Sequence, residues 1–150
     1  MFWEEQTVNS FDDSLEKTKG VCVFPIGCIE KHGNHLPLGT DVDTARGIAA
    51  RAAKLEEVMI FPSWPLGMGR EGGHKAGTIS VSGQLQLQVM QEIFAEMSRN
   101  GYKKIVLCSG HGGNNDFLNF LTQTCLEKRL DYVLYYPQCL RITPQQHQYL

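Results

Sequence analysis

The chain has 150 residues and a formal net charge of −2 at neutral pH, with 14 lysines and arginines against 16 aspartates and glutamates. The basic residues are scattered rather than grouped, which argues against a nucleic-acid-binding surface. No apolar run approaches the roughly 20 residues of a membrane span, and the acidic amino-terminal stretch lacks the apolar core of a signal peptide. We therefore expect a cytoplasmic protein without a membrane partner.

The predicted elements alternate between strand and helix along the chain. Short β-rich runs and segments with apolar residues at helical spacing follow one another, and no linker or repeat interrupts them. This alternation is typical of parallel strand pairing in a layered α/β fold, and the length suits a single domain over residues 1–150. The predicted strands are 21–26, 58–61, 105–108 and 132–136, and the predicted helices are 44–55, 85–100 and 116–129.

One predicted connection, residues 62–82, is glycine-rich and longer than an ordinary loop. Long loops in compact domains are usually functional. We expect either a lid or substrate loop or a plain excursion of the chain.

The cysteines form no C-x-x-C pair. An odd number of cysteines without such pairs favours reduced thiols, several of them buried, over a disulfide framework or a zinc knuckle. The five residues are Cys22, Cys28, Cys108, Cys125 and Cys139.

Metal-competent side chains follow two of the predicted strands. Glu30, His32 and Asp41 come after the first strand, and His111 follows the third. Ligands in open α/β sheets bind outside the carboxyl ends of the strands, so these side chains should meet at one edge. Carboxylate oxygens and imidazole nitrogens suit Zn²⁺, Mn²⁺ or Fe²⁺, and two ions could bind if one carboxylate bridges them.

Less specific interpretations exist for the other polar residues of these loops. Asp43 could cap the helix predicted at 44–55, and Asn114 and Asn115 could cap the helix predicted at 116–129. His35 could orient a metal ligand from outside the metal's own coordination shell. His147 is expected at the surface.

Two other chemistries are weakly supported. The glycines around His111 lack the spacing of a dinucleotide or P-loop motif, and Ser109 is not in a G-x-S-x-G sequence. A non-catalytic metal-binding or small-molecule-binding α/β domain remains the alternative from another functional class.

Three stretches resemble the creatininase family of metal-dependent amidohydrolases. They are "PIGCIEKHGNHLPLGTDVDTA", "HKAGTIS" and "SGHGGNN", and their order and separation also agree with that family. The resemblance implies a three-layer α/β fold with a mainly parallel central sheet flanked by helices. It also implies a homo-oligomer, namely a hexamer, that acts on a small-molecule substrate.

The same resemblance implies a site of two divalent ions, Zn, Mn or Fe. Glu30, His32, Asp41 and His111 would be the ligands, with Asp41 bridging, and a hydroxide between the ions would attack an amide, cyclic amide or formamide C–N bond. His74, Gly77 and Thr78 would contact the substrate, and His35 and Asn114 would support the ligands.

The chain departs from the family pattern at several positions. Gly113 stands where creatininase proper has a ligand Glu, Ala76 replaces a usual Pro, and Ser109 replaces a usual Asn. A later family segment resembling His-Ala-Gly-x-x-Glu-Thr-Ser is not in the sequence, so we expect the domain to continue beyond residue 150 and to gain a further ligand and an acid/base His there. The glycine at 113 argues mildly against creatinine as substrate. Deformylation, peptide trimming and hydrolysis of oxidised cyclitols are the related alternatives.

Overall fold

The computed structural model describes residues 1–138, in which four strands form one sheet. β1 (Val21–Ile26) lies between β2 (Met59–Ile60) and β3 (Lys104–Ser109), and β4 (Val133–Tyr135) pairs with the far side of β3. Every pairing is parallel, which confirms the predicted α/β class. The two edge strands are shorter than the predicted 58–61 and 132–136, with two and three residues.

Within residues 1–138, four α-helices accompany the sheet, together with three short 3-10 turns. α3 agrees closely with its prediction, whereas α4 ends five residues before the predicted 129, because the chain must turn back to place β4 beside β3. The helices are α1 (Val8–Lys17), α2 (Thr40–Ala52), α3 (Gly83–Arg99) and α4 (Asn115–Thr124), and the 3-10 turns are Trp3–Glu5, Arg70–Gly72 and Gly112–Asn114.

The helices cover both faces of the sheet. Alternate residues of β1 point to opposite sides, so that Phe24 and Ile26 lie in one apolar cluster and Val23 lies in another with Ala49 of α2. This arrangement confirms the predicted three layers. The larger cluster also contains Met90, Phe94 and Met97 of α3 and Leu118 and Leu121 of α4.

The sequence did not predict α1. Its amino terminus is a capping box in which Thr7 and Ser10 each bond the other's backbone N–H. The helix packs Phe11 onto the core, with its ring centroid 5.0 Å from that of Trp3 and 5.6 Å from that of Tyr102. The acidic composition of this stretch hid a short helix that is held by aromatic contacts.

The start of α2 corrects one expectation. The helix begins at Thr40, four residues before the predicted start, and its N-cap residue is Gly39, which makes no side-chain cap bond. The interpretation of Asp43 as the cap is therefore wrong. Asp43 lies one turn inside, where its N–H donates to the carbonyl oxygen of Gly39 at 3.0 Å. The earlier start places Asp41 in the first helical turn.

Two glycines fix how α2 meets the sheet. Ile26 and Ser109 are paired in register, so β1 and β3 end level with each other. Gly27 and Gly110 follow them, and a Cβ on either would overlap the backbone of the first turn of α2. The helix terminus can therefore rest directly on the carboxyl ends of both central strands.

The described residues contain no helix that is both long enough and apolar enough to cross a bilayer. Among their cysteines, Cys22, Cys28 and Cys125 are free thiols, as predicted. Cys22, Cys28 and Cys108 are buried and Cys125 is partly buried. Cys139 and His147 lie outside the described residues.

Candidate metal centre

The structure brings the four predicted ligands together at the carboxyl edge of the sheet. Glu30 and His32 lie in the loop between β1 and α2, Asp41 lies in the first turn of α2, and His111 follows β3. The loop is closed by a hydrogen bond from the Glu30 N–H to the Leu38 carbonyl oxygen at 3.1 Å. Residues that are far apart in sequence thus share one small volume.

Asp41 lies at the centre of this cluster. Its Oδ1 is 2.9 Å from Nε2 of His32, and its Oδ2 is 2.9 Å from Nδ1 of His111. Glu30 Oε1 lies 3.3 Å from the same His111 nitrogen and 3.9 Å from the His32 nitrogen. One carboxylate therefore faces a different imidazole with each of its oxygens, as a bridging ligand would.

Backbone carbonyls fix the orientation of both imidazoles. The Glu30 carbonyl oxygen lies 3.2 Å from Nδ1 of His32, and the Met68 carbonyl oxygen lies 3.0 Å from Nε2 of His111. A carbonyl only accepts, so each of these ring nitrogens carries the proton. In a neutral ring the other nitrogen then offers its lone pair to the cluster, which is how metal-binding histidines are usually held.

The cluster is rich in acceptors that a cation would satisfy. Asp41 is 6% exposed, and its Oδ2 accepts no hydrogen bond of normal geometry. Oδ2 faces Nδ1 of His111, which supplies a hydrogen only when it is protonated, so a cation would stabilise this buried oxygen when the ring is neutral. Two overlapping groups of donors, each within 4.8 Å, could hold an ion: Glu30 with His32 and Asp41, and Cys28 with Glu30 and His111. Donors of these kinds fit divalent transition metals.

The electrostatics of His111 agree with an anionic pocket. Burial lowers the pKa of His111, but its contact with Asp41, its bond to the Met68 carbonyl and the charges of Glu30 and Asp41 outweigh burial. The net result is a pKa above the usual value for histidine. Without a metal, a proton on Nδ1 would compensate part of the carboxylate charge.

Asn114 connects three segments around the cluster. It is the N-cap residue of α4 but makes no side-chain cap bond. Its Oδ1 accepts from the Met68 N–H at 2.8 Å, and its Nδ2 donates to Ser109 Oγ at 3.2 Å and to the Gly27 carbonyl oxygen at 3.4 Å. The interpretation as a helix cap is wrong, and the side chain instead holds the residue whose carbonyl orients His111.

Cys28 is a neighbour of the cluster that sequence reasoning missed. Its thiol is fully buried, and burial together with the charges of Glu30, Asp41 and Glu71 raises its pKa to about 12. The alternation that places Glu30 and His32 on one side of an extended segment also places Cys28 there. Cys28 could therefore have been singled out from the sequence, because it lies two residues before Glu30.

The predicted substrate-binding residues lie in the loop over the cluster. His74 is exposed, with Nδ1 3.1 Å from the Glu71 carbonyl oxygen, and Gly77 adopts a positive φ of 86° beside Leu38. Thr78 has a buried hydroxyl without a hydrogen-bond partner. Their contact with substrate stays a prediction.

His35 is not drawn into the cluster. It is exposed, and its ring packs over Gly33, which has a φ of 71°. A role for His35 in supporting the ligands also stays a prediction.

Comparison with known families decides the classification. The sequence profile of the family Creatininase, described as creatinine amidohydrolase, matches residues 4–148. The chain belongs to the creatininase family. Among curated relatives, the creatinine amidohydrolase of Pseudomonas putida is 27% identical over 123 residues, and the mycofactocin precursor peptide peptidase of Mycobacterium tuberculosis is 32% identical over 110 residues. These alignments cover 79% and 67% of this chain but only 47% and 43% of the relatives, so the chain spans less than half their length.

Solved creatininase structures have the same fold. A mutant creatininase described as the Zn-Zn type superposes with a TM-score of 0.83 at 24% identity, covering 99% of this chain and 62% of that one. A structure named creatininase Mn gives a TM-score of 0.77 at 23% identity over 90% of this chain and 56% of the other.

The structure leaves no room for a side chain at Gly113. A Cβ on Gly113 would overlap Nε2 of His111 and lie 2.7 Å from the Met68 carbonyl oxygen and 2.8 Å from Oε1 of Glu71. A glutamate at this position would therefore require the loop carrying Met68 and Glu71 to move. At position 113, where the family resemblance implies a ligand Glu, this chain has a glycine that the loop covers.

Proposed function

We propose that this chain forms the metal-binding part of a divalent-metal hydrolase that cleaves a C–N bond in a small molecule. The observation that carries the proposal is the pair of contacts made by Asp41, which presents one oxygen to His32 and the other to His111. Membership of the creatininase family supports it independently. We propose two ions, Zn, Mn or Fe, held by Glu30, His32, Asp41 and His111, with Asp41 shared.

The charges of the four proposed ligands determine the net charge of a centre with two ions. The four side chains contribute two negative charges from Glu30 and Asp41 and two neutral imidazoles, so two dications would leave the centre net positive. Ions in such a site polarise a carbonyl group and lower the pKa of bound water. The same arrangement would attract the developing negative charge of an attacked amide carbonyl.

The chain's own residues determine where a substrate can approach. The side chains of Asp41 and His111 are each 8% exposed, whereas those of Glu30 and His32 are 17% and 22% exposed. The open side of the cluster is therefore the His32 side. The buried side is closed by the Met68 segment, which keeps water from the Nε2 proton of His111.

The substrate class is proposed as an amide, cyclic amide or formamide. A peptide C–N bond is the second candidate, favoured by the 32% identity to the mycofactocin precursor peptide peptidase and by the glycine at 113. An oxidised cyclitol is a third, weaker alternative. A hexameric assembly is part of the proposal through the family resemblance only, and a cytoplasmic location through the composition of the sequence only.

Metal analysis of the protein that contains this chain tests the proposal. After reconstitution with Zn²⁺, Mn²⁺ or Fe²⁺ and desalting, we expect about two ions per chain for the wild type, because a bridged pair shares one carboxylate. Asp41→Ala should lose both ions. Asp43→Ala, which changes an exposed aspartate in the same helical turn, should keep both.

Activity is then measured on a panel of cyclic amides, formamides, short peptides and cyclitol ketones. Turnover that disappears with chelator and returns with metal would support the proposal. Wild-type protein that binds no divalent transition metal, or equal metal content in the Asp41 and Asp43 variants, would contradict it.

A further inference from the structure

One donor of the cluster is not among the proposed ligands. Cys28 directly follows Gly27 at the end of β1 and is fully buried. Its Sγ, a carboxylate oxygen of Glu30 and a ring nitrogen of His111 all lie within 4.8 Å of one another. In tetrahedral zinc coordination two donors lie roughly 3.3–3.8 Å apart, so side chains near the 4.8 Å limit must move inwards to share one ion.

A second observation points to an ion in the same place. Asp41 is 6% exposed, and its Oδ2 lies 2.9 Å from Nδ1 of His111, which carries a hydrogen for it only when that ring is protonated on this side. Glu30 Oε1 approaches that nitrogen as well, at 3.3 Å. Glu30 and Asp41 thus converge on the same His111 nitrogen, and Glu30 and His111 are the two residues grouped with Cys28.

The loop above the thiol is shaped around it. A Cβ on Gly69 would overlap the Sγ of Cys28 and would lie 3.5 Å from Oε2 of Glu30. The backbone of this loop therefore covers the thiol and the carboxylate together. Cys22, at the opposite end of β1, is equally buried but lies in the apolar cluster of the core.

We propose that Cys28 Sγ, together with Glu30 and His111, is a ligand of one of the two ions, and that this position selects Zn²⁺ over Mn²⁺. On binding, the S–H bond breaks, the proton leaves to solvent and the sulfur lone pair bonds the cation. Thiolate ligands favour zinc, whereas carboxylate and water favour manganese. The proposal rests on the proposed function, because it assigns a ligand within that metal centre.

Cobalt substitution tests this assignment in the wild-type protein. Co²⁺ bound by nitrogen and oxygen ligands absorbs in the visible, whereas a thiolate ligand adds a sulfur-to-cobalt charge-transfer band in the near ultraviolet. We expect both features, with the ultraviolet band saturating at one equivalent while the visible bands continue to grow towards two. Visible bands without a charge-transfer band would overturn the assignment of Cys28 and leave the proposed function standing. Absence of all cobalt absorption would overturn both.

A pair of matched variants separates ligation from packing. Cys28→Ala should abolish the charge-transfer band and weaken zinc binding at one position by more than ~10-fold, the lower end of what loss of an outer partner of a metal ligand costs. Its manganese affinity should change much less. Cys22→Ala removes an equally buried thiol from β1, within the apolar core, and should keep the band and both affinities.

If Cys28→Ala does not fold, the wild-type cobalt spectrum still decides the assignment of the sulfur, because zinc binds more tightly than manganese to most nitrogen and oxygen sites as well. Equal affinities of the wild type for Zn²⁺ and Mn²⁺ at both positions would overturn the selectivity. A charge-transfer band that persists in folded Cys28→Ala would overturn the assignment of the sulfur.

Discussion

Replacing Asn114 by alanine should weaken both the fold and the metal centre. The side chain is 1% exposed and makes three hydrogen bonds, to the Met68 N–H, to Ser109 Oγ and to the Gly27 carbonyl oxygen. At about 0.5–1.5 kcal/mol each, their loss should lower the free energy of unfolding by roughly 1.5–4.5 kcal/mol. The upper half of that range applies if the Met68 N–H and the Gly27 carbonyl stay buried without partners.

The effect on metal binding follows from the chain of contacts. Asn114 holds the N–H of Met68, and the carbonyl of Met68 orients the His111 ring at 3.0 Å. Removing a partner that orients a ligand typically costs 10–100-fold in metal affinity. We therefore expect zinc affinity to fall by roughly 10–100-fold in Asn114→Ala.

Urea unfolding in the presence of chelator measures the change in the free energy of unfolding. Competition with a zinc indicator measures the change in zinc affinity. Asn115→Ala is the matched control, because Asn115 is the adjacent asparagine, is exposed and bonds the Tyr136 hydroxyl instead. A folded Asn114→Ala protein with wild-type zinc affinity would refute the role given to Met68 in orienting His111.

Further outcomes are expected. Gly110→Ala should destabilise the protein by several-fold more than Gly112→Ala, because a Cβ at 110 overlaps the backbone of α2 whereas one at 112 meets nothing within 4 Å; thermal unfolding of the two variants compares them. In metal-free protein the raised pKa of His111 adds stability that is fully present below the histidine's unfolded pKa, about 6.5, and is lost as pH rises through the folded pKa. His111→Gln should flatten that part of the stability profile, and an unchanged profile would contradict the assignment. With metal present the order reverses, since binding requires the neutral ring and affinity should rise with pH. Cys22→Ala and Cys108→Ala should lose stability but keep turnover, and a folded Cys108→Ala protein without activity would show that its thiol takes part in the chemistry.

The positions of the four proposed ligands could be predicted because they lie in short motifs directly after two strands. The rule that parallel strands end at one edge was enough to bring Glu30 and His111 together. The start of α2 was not predictable from composition, because it depends on Gly39 and on the close approach of the helix to the strand ends. Because the predicted start was too late, Asp43 was expected to be the helix cap, whereas it lies inside the first turn.

Contacts between distant loops were the part that pattern reasoning could not supply. Asn114 looks like a helix cap in sequence, and only the folded chain shows that it bonds Met68, which lies 46 residues earlier. Cys28 looks like part of an apolar run, although its two-residue spacing from Glu30 was visible. The short α1 was missed because its acidic residues make the stretch polar overall, although Phe11 lies at the helical position that packs against Trp3 and Tyr102.

The level ends of β1 and β3 have a consequence for how the protein folds. These strands come from distant parts of the chain, and the hydrogen bond between Asn114 and Gly27 joins residues 87 apart. Pairing across such a separation is slow, because a large loop must close before the contacts form. The proposed ions have donors that follow β1 and donors that follow β3. They would therefore bind after these strands have paired. They should therefore slow unfolding, leave the folding rate nearly unchanged and lengthen the lifetime of the native state in proportion to metal concentration.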